Sequence, residues 1–153
     1  MKSQATYDDA RLILELYDLR REERLRAARK WMGSTFAAPP TAEEFTKKYP
    51  PGSDENASFR MVVTYWDMAA SFVVAGIIHR ELFFRSNSME LLYVWEKVKT
   101  LVPDLRQRNK NPLTYSNIEK VAGWFIEFLN ENAPEAYGTF SAGIAKATKA
   151  ASS

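Results

Sequence analysis

His79 is the only histidine in a chain of 153 residues that contains no cysteine. Those two facts decide most of the available chemistry. Without cysteine there is no thiolate nucleophile, no disulfide, no iron–sulfur cluster and no cysteine-based zinc site. One imidazole cannot supply a His-rich zinc site or a two-histidine facial triad. No glutamate stands three residues before His79, as a di-iron helix motif requires. A hydrolytic triad would have to use His79, yet no Gly-x-Ser-x-Gly elbow occurs, and Gly138, Ser141 and Gly143 have the wrong spacing. The expected role of His79 is to cap the helix that follows Gly76, where an imidazole can serve a free amide.

Asp67 is the other residue that invites a chemical reading, because it interrupts the apolar run from Met61 to Ile78. A carboxylate in such surroundings can act as a general base with a raised pKa. Acid–base sites need a second convergent group, however, and the neighbours of Asp67 on its helical stripe are Arg60, Thr64 and Ser71. Asp67 is therefore expected to face an arginine, a lysine or solvent, and not another carboxylate. No catalytic, metal-binding or cofactor-binding residue is predicted.

Two basic segments could grip phosphates. The first holds Arg20, Arg21, Arg24, Arg26, Arg29 and Lys30, offset by Glu22 and Glu23, and the second holds Arg106, Arg108 and Lys110. Arg20, Arg21, Arg24, Arg106, Arg108 and Lys110 are the candidate anion-binding residues. A net charge of +2 and a pI near 8.8 permit anionic partners without demanding them. No phosphate-binding glycine loop or RNA-stacking aromatic motif accompanies these arginines.

The elements that must position these residues read as helices throughout. A content of 46% hydrophobic and 26% charged residues is that of a folded globular domain, and apolar spacing is helical with no convincing alternation. The pattern predicts an all-α, irregular bundle of about five to seven helices in one domain over 1–153, with tails at 1–5 and 148–153. Thr6-x-x-Asp9 should open a long first helix reaching Trp31 or Met32, about 40 Å in all. Thr41-x-x-Glu44 opens a short helix stopped by Pro50-Pro51-Gly52, and a central helix runs from Asp54 to about Ala75, stopped at Gly76. A short helix to Phe84, a Ser86-Asn87-Ser88 turn and a helix from Ser88 towards Pro103 follow. Residues 104–112 read as a polar connector, Ser116-x-x-Glu119 as another capping box, and Pro134 as the start of a last, weaker helix.

Within this pattern, Gly76-Ile77-Ile78 ends an apolar helix, Glu81-Leu82 marks the short helix after it, and Trp95 centres the next. The stretch from Tyr65 to Val102 thereby resembles a bacterial family catalogued as a domain of unknown function, which more often carries an acidic residue where His79 stands. The resemblance implies an all-helical fold and carries no catalytic residue with it.

Asp67 makes a membrane span of 61–78 costly, so no span is expected. The polar stretch Met1–Asp9 lacks an apolar export segment, and together with the absence of cysteine this predicts a cytoplasmic protein. The function expected is a non-catalytic interaction module that self-associates, with a nucleic-acid or phosphate binder using 20–30 and 106–110 as the alternative and an unrecognised enzyme third. The candidate interface residues are Leu12, Leu16 and Leu19, then Leu25 and Trp31 where the first helix leaves the local core, and Trp124, about 100° from the centre of its apolar stripe.

Overall fold

Apolar residues at three- and four-residue steps give helices wherever a start signal precedes them, and the computed structural model, which describes residues 3–152, holds eight. They are α1 (Tyr7–Leu19), α2 (Glu23–Ser34), α3 (Ala42–Lys48), α4 (Asp54–Val74), α5 (Arg80–Val98), α6 (Val102–Asn109), α7 (Ser116–Asn132) and α8 (Ala136–Ser152). The all-α class stands, but the expectation of five to seven helices led by one long helix does not. Of the expected tails, α8 runs through 148–152, while residues 1, 2 and 153 lie outside the described residues.

The long helix breaks at Arg20–Glu22. Arg21 and Glu22 donate to Asp18 and Leu19 carbonyls in a tight turn, and the Glu22 carboxylate then accepts from Leu25 N at 2.9 Å. A glutamate thus acts as N-cap in the middle of a charged run, a role more usual for Ser, Thr, Asp or Asn. The break lets α2 fold against α4 and bury Leu25, Ala28 and Met32 within the same chain. The second contact that a continuous helix would have needed from a symmetry mate is therefore internal.

Two further boundaries differ. The expected turn at 86–88 is helical: Ser86 and Ser88 donate their hydroxyls to the Leu82 and Phe84 carbonyls at 2.7 Å, leaving α5 unbroken. The connector at 104–112 is largely α6, and Pro103 sits in its first turn, where a missing N–H costs nothing.

Helix α4 is the axis of the fold. Phe59, Val62, Val63, Trp66, Ala69, Ala70 and Val73 are buried along it, and α2, α5 and α7 pack around it. Its small residues Ala69 and Ala70 are fully buried, so neighbouring helices meet its backbone closely there. Gly76 ends the helix at φ +74, the left-handed geometry expected of it, and the Ile77 and Ile78 amides return to the Phe72 carbonyl.

The Tyr65 hydroxyl joins α4 to α1 by donating to the Leu16 carbonyl. Burial pushes the Tyr65 phenol up to about 12 from 10.0, with Arg20 opposing the shift. A raised acid pKa means the folded state keeps a proton that the unfolded chain releases. The stabilisation is complete below pH 10 and is lost as pH rises through about 12. Urea midpoints across that window should show an alkaline loss on the order of 2 kcal/mol that Tyr65→Phe flattens; a Tyr65→Phe protein with the same alkaline slope would refute the assignment.

Candidate functional site

The carboxylates that looked available for chemistry are occupied by backbone. Asp67 accepts from the Asn117 and Ile118 amides, both at 3.0 Å, and from Asn117 Nδ2 at 3.2 Å. It is the cap of α7, supplied from α4. This corrects the expected arginine, lysine or solvent partner; among the described residues its hydrogen bonds come from Asn117 and Ile118 and not from a second carboxylate. It also replaces the Ser116-x-x-Glu119 box, because the α7 N-cap residue is Tyr115, in left-handed geometry at φ 52 and with no side-chain cap of its own.

Asp9 and Asp104 work in the same way. Asp9, fully buried on α1, closes the capping box with Thr6 and also accepts from His79 N at 2.8 Å, at the start of α5. Asp104, on α6, accepts from Ala42 N at the start of α3. Each carboxylate meets partial positive charge and unsatisfied amides at a helix N-terminus. His79 itself caps α5 as expected, its Nδ1 accepting from Leu82 N at 3.2 Å. No group of three His, Asp or Glu side chains converges as a metal-ligand set among the described residues.

The anion-binding candidates divide. Arg20 donates through Nη1 to Glu90 at 3.0 Å, and Arg29 grips the same carboxylate through Nε and through Nη2 at 2.8 Å. The Glu90 hydrogen bonds raise the pKa of Arg29. Arg106 donates to the Thr114 and Tyr115 carbonyls and pairs with Glu119, pinning the turn before α7. Arg21, Arg24 and Lys110 are exposed; Arg108 is exposed at the mouth of a cleft and holds the Ala42 carbonyl at 3.1 Å. The two segments sit on elements with different partners, α2 against α4 and α6 against α3.

The interface candidates divide as well. Leu16 and Leu25 are core residues, and Leu12, Trp31 and Trp124 are half-buried. Trp31 packs on Phe36 and Tyr49 with ring centroids at 5.3 and 5.4 Å, and the Arg80 guanidinium lies 3.5 Å from the centroid of Trp124. Only Leu19 of that set is exposed, at 54%.

What sequence reasoning missed is a second apolar stripe on α1. Tyr7, Leu14 and Tyr17 are 92%, 66% and 49% exposed, so with Leu19 this one helix carries four of the eight large exposed hydrophobics among the described residues. The signal was present: residues 7, 10, 14 and 17 form a second three-four-three apolar stripe beside the buried stripe of 9, 13 and 16. No helix among the described residues is long and apolar enough to cross a membrane.

No curated protein and no solved structure matches the chain. The family resemblance read over 65–102 extends much further, taking in α1 to α6 and the first half of α7. With residues 5–124 matched, the chain belongs to the family described as a domain of unknown function, DUF4760.

Proposed function

We propose that this protein is a non-catalytic interaction module that pairs with a second copy of itself through the outer face of α1. The observation that carries the reading is the run of exposed Tyr7, Ala10, Leu14 and Tyr17 along one face of a helix of 13 residues. Charge selects the partner. Arg11 and Asp18 flank the stripe one heptad apart. An antiparallel copy related by a two-fold axis near Leu14 would set Arg11 beside Asp18 of its mate, twice. One helix per copy, about 20 Å long, falls short of the ~800 Å² per partner of a standard stable interface, so the association is weak and micromolar. The lack of cysteine supports a reducing, cytoplasmic setting. The nucleic-acid alternative is weakened by the commitment of Arg20, Arg29 and Arg106 to internal carboxylates.

Sedimentation velocity from micromolar to hundreds of micromolar tests the pairing. The wild type should shift from monomer towards dimer, and Leu14→Glu should stay monomeric with an unchanged melting temperature. Arg11→Asp and Asp18→Arg should each weaken the dimer, and the double variant should restore it. A wild type that remains monomeric throughout ends the proposal, and a double variant no better than the singles ends the antiparallel arrangement.

A further inference from the structure

Three concave regions among the described residues have arginine in their walls and compete as anion sites. The cleft between the start of α5 and α7 has aromatic walls but mixes Arg80 with Glu81, Glu127 and Glu131, so neither an anion nor a cation meets a consistent field. The hollow beside Arg20 and Glu90 also has Arg85 in its wall, but Arg20 is paired with Glu90 and Arg85 with Glu81. The third cavity, about 340 Å³, lies between α3, α4, α6 and the turn before α7. Its lining contains two guanidiniums, Arg60 and Arg108, and no carboxylate.

Both arginines are held by one edge and open at the other. Arg60 Nε donates to Asn56 Oδ1 at 3.0 Å, and Asn56 in turn donates through Nδ2 to the Tyr49 carbonyl at 3.0 Å. That second bond fixes which way the buried amide points, and so fixes the guanidinium. Among the described residues, neither Nη of Arg60 has a protein acceptor. Arg108 anchors Nη1 on the Ala42 carbonyl and the Thr46 hydroxyl, leaving Nε and Nη2 without one. Pre-positioned, unsatisfied guanidinium edges bind carboxylate or phosphate oxygens in pairs with little further ordering cost.

Tyr115 completes the wall, and its backbone is unusual. A bulky residue at φ 52 is disfavoured, yet here it is held by Arg106 on its own carbonyl and by Asp67 on the Asn117 and Ile118 amides. The Tyr115 hydroxyl has no hydrogen-bond partner among the described residues. Burial and the charge of Asp67 raise its pKa, against the opposing charge of Arg60, so at neutral pH it is a phenol able to donate. Beneath these polar groups the floor is aromatic: Phe45 and Phe59 have centroids 4.7 Å apart, and Tyr115 stands edge-on to Phe59 at 6.4 Å.

We infer that this cavity binds a small organic anion, a carboxylate or phosphate carried on a flat apolar body, with Arg60 and Arg108 taking the charged oxygens and Tyr115 donating beside them. A cavity at the lower end of the range for small-molecule sites suits a metabolite and not a nucleic-acid strand, which needs an open track of phosphate contacts. This site is independent of the α1 surface.

Calorimetry and thermal shift with phenyl phosphate, benzoate, inorganic phosphate and phenol test the assignment at millimolar concentration. At least one of the two aromatic anions should bind and raise the melting temperature, the more strongly bound identifying the headgroup. Inorganic phosphate should bind more weakly and phenol not measurably. Arg60→Gln and Arg108→Gln should each lower the affinity about tenfold or more, the loss of a charge-assisted hydrogen bond. Both side chains are exposed, so both variants should melt close to wild type, and Arg21→Gln/Arg24→Gln, outside the cavity, should bind normally. Failure of both aromatic anions to bind overturns the assignment. So does equal binding by the Arg60→Gln/Arg108→Gln protein, or an equal loss in the Arg21→Gln/Arg24→Gln control.

Discussion

Glu90→Ala should destabilise the protein by about 2–3 kcal/mol, the larger part of it through the two arginines left behind. Glu90 receives Arg20 Nη1 and two nitrogens of Arg29, while Arg29 Nη1 also donates to the Arg20 carbonyl at 3.0 Å. One carboxylate therefore ties the α1–α2 turn to α5. The side chains are 12%, 25% and 24% exposed for Arg20, Arg29 and Glu90. That is dry enough to exceed the ~0–1 kcal/mol of a surface pair, yet wet enough to fall below the 3–5 kcal/mol of breaking a fully buried one. Arg20 also lies over the Tyr17 and Trp66 rings, with its Nε buried and unpaired, so it has no easy route to solvent. Urea denaturation measures the loss, and amide exchange should locate it at residues 20–25. A Glu90→Ala protein within 0.5 kcal/mol of wild type would mean that the turn is held by α2 burial alone.

Asp67→Ala should cost a comparable amount, about 2–4 kcal/mol, for a different reason. It leaves the Asn117 and Ile118 amides without acceptors at the start of a helix whose own N-cap residue, Tyr115, offers none. Ile118 is fully buried, which limits what water can do for the second amide. Asp67→Asn keeps the geometry at the two amides: its carbonyl can still accept from them, so the charge–dipole part and the bond from Asn117 Nδ2 are lost, about 1–2 kcal/mol. Equilibrium unfolding of both variants, with amide exchange over 116–119, checks the ordering. If Asn is as damaging as Ala, the charge dominates. If Ala is silent, Asp67 is not the α7 cap.

These two residues also show how much of the molecule was legible beforehand. Four signals acting within one helical turn were read correctly: the Thr6–Asp9 box, the Thr41 hydroxyl on Glu44 N, the His79 cap and the left-handed Gly76; the Ser116–Glu119 box was not. The limits of α4 were read correctly too, because its polar stripe is narrow and its ends carry Ser53 and Gly76. In each of the three caps both partners lie three residues apart, and backbone geometry brings them together in any tertiary setting.

The misread positions depend on partners far along the chain. The charged run at 20–24 has no breaker, and what bends it is Glu90, reached by Arg20 and Arg29 across separations of 70 and 61 residues. Ser88 looked like a cap, yet the buried surroundings of α5 turn its hydroxyl back onto Phe84. Asp67 carried the right alarm and the wrong partner, because its amides lie 50 and 51 residues away. The cavity between Arg60 and Arg108 joins α4 to α6, and no local pattern links those arginines. Local periodicity and hydrogen bonds within a turn are properties of the chain itself and can be read from its residue order. A carboxylate choosing among distant amides and guanidiniums is selected by packing, which only the folded arrangement of α1, α4, α5 and α7 supplies.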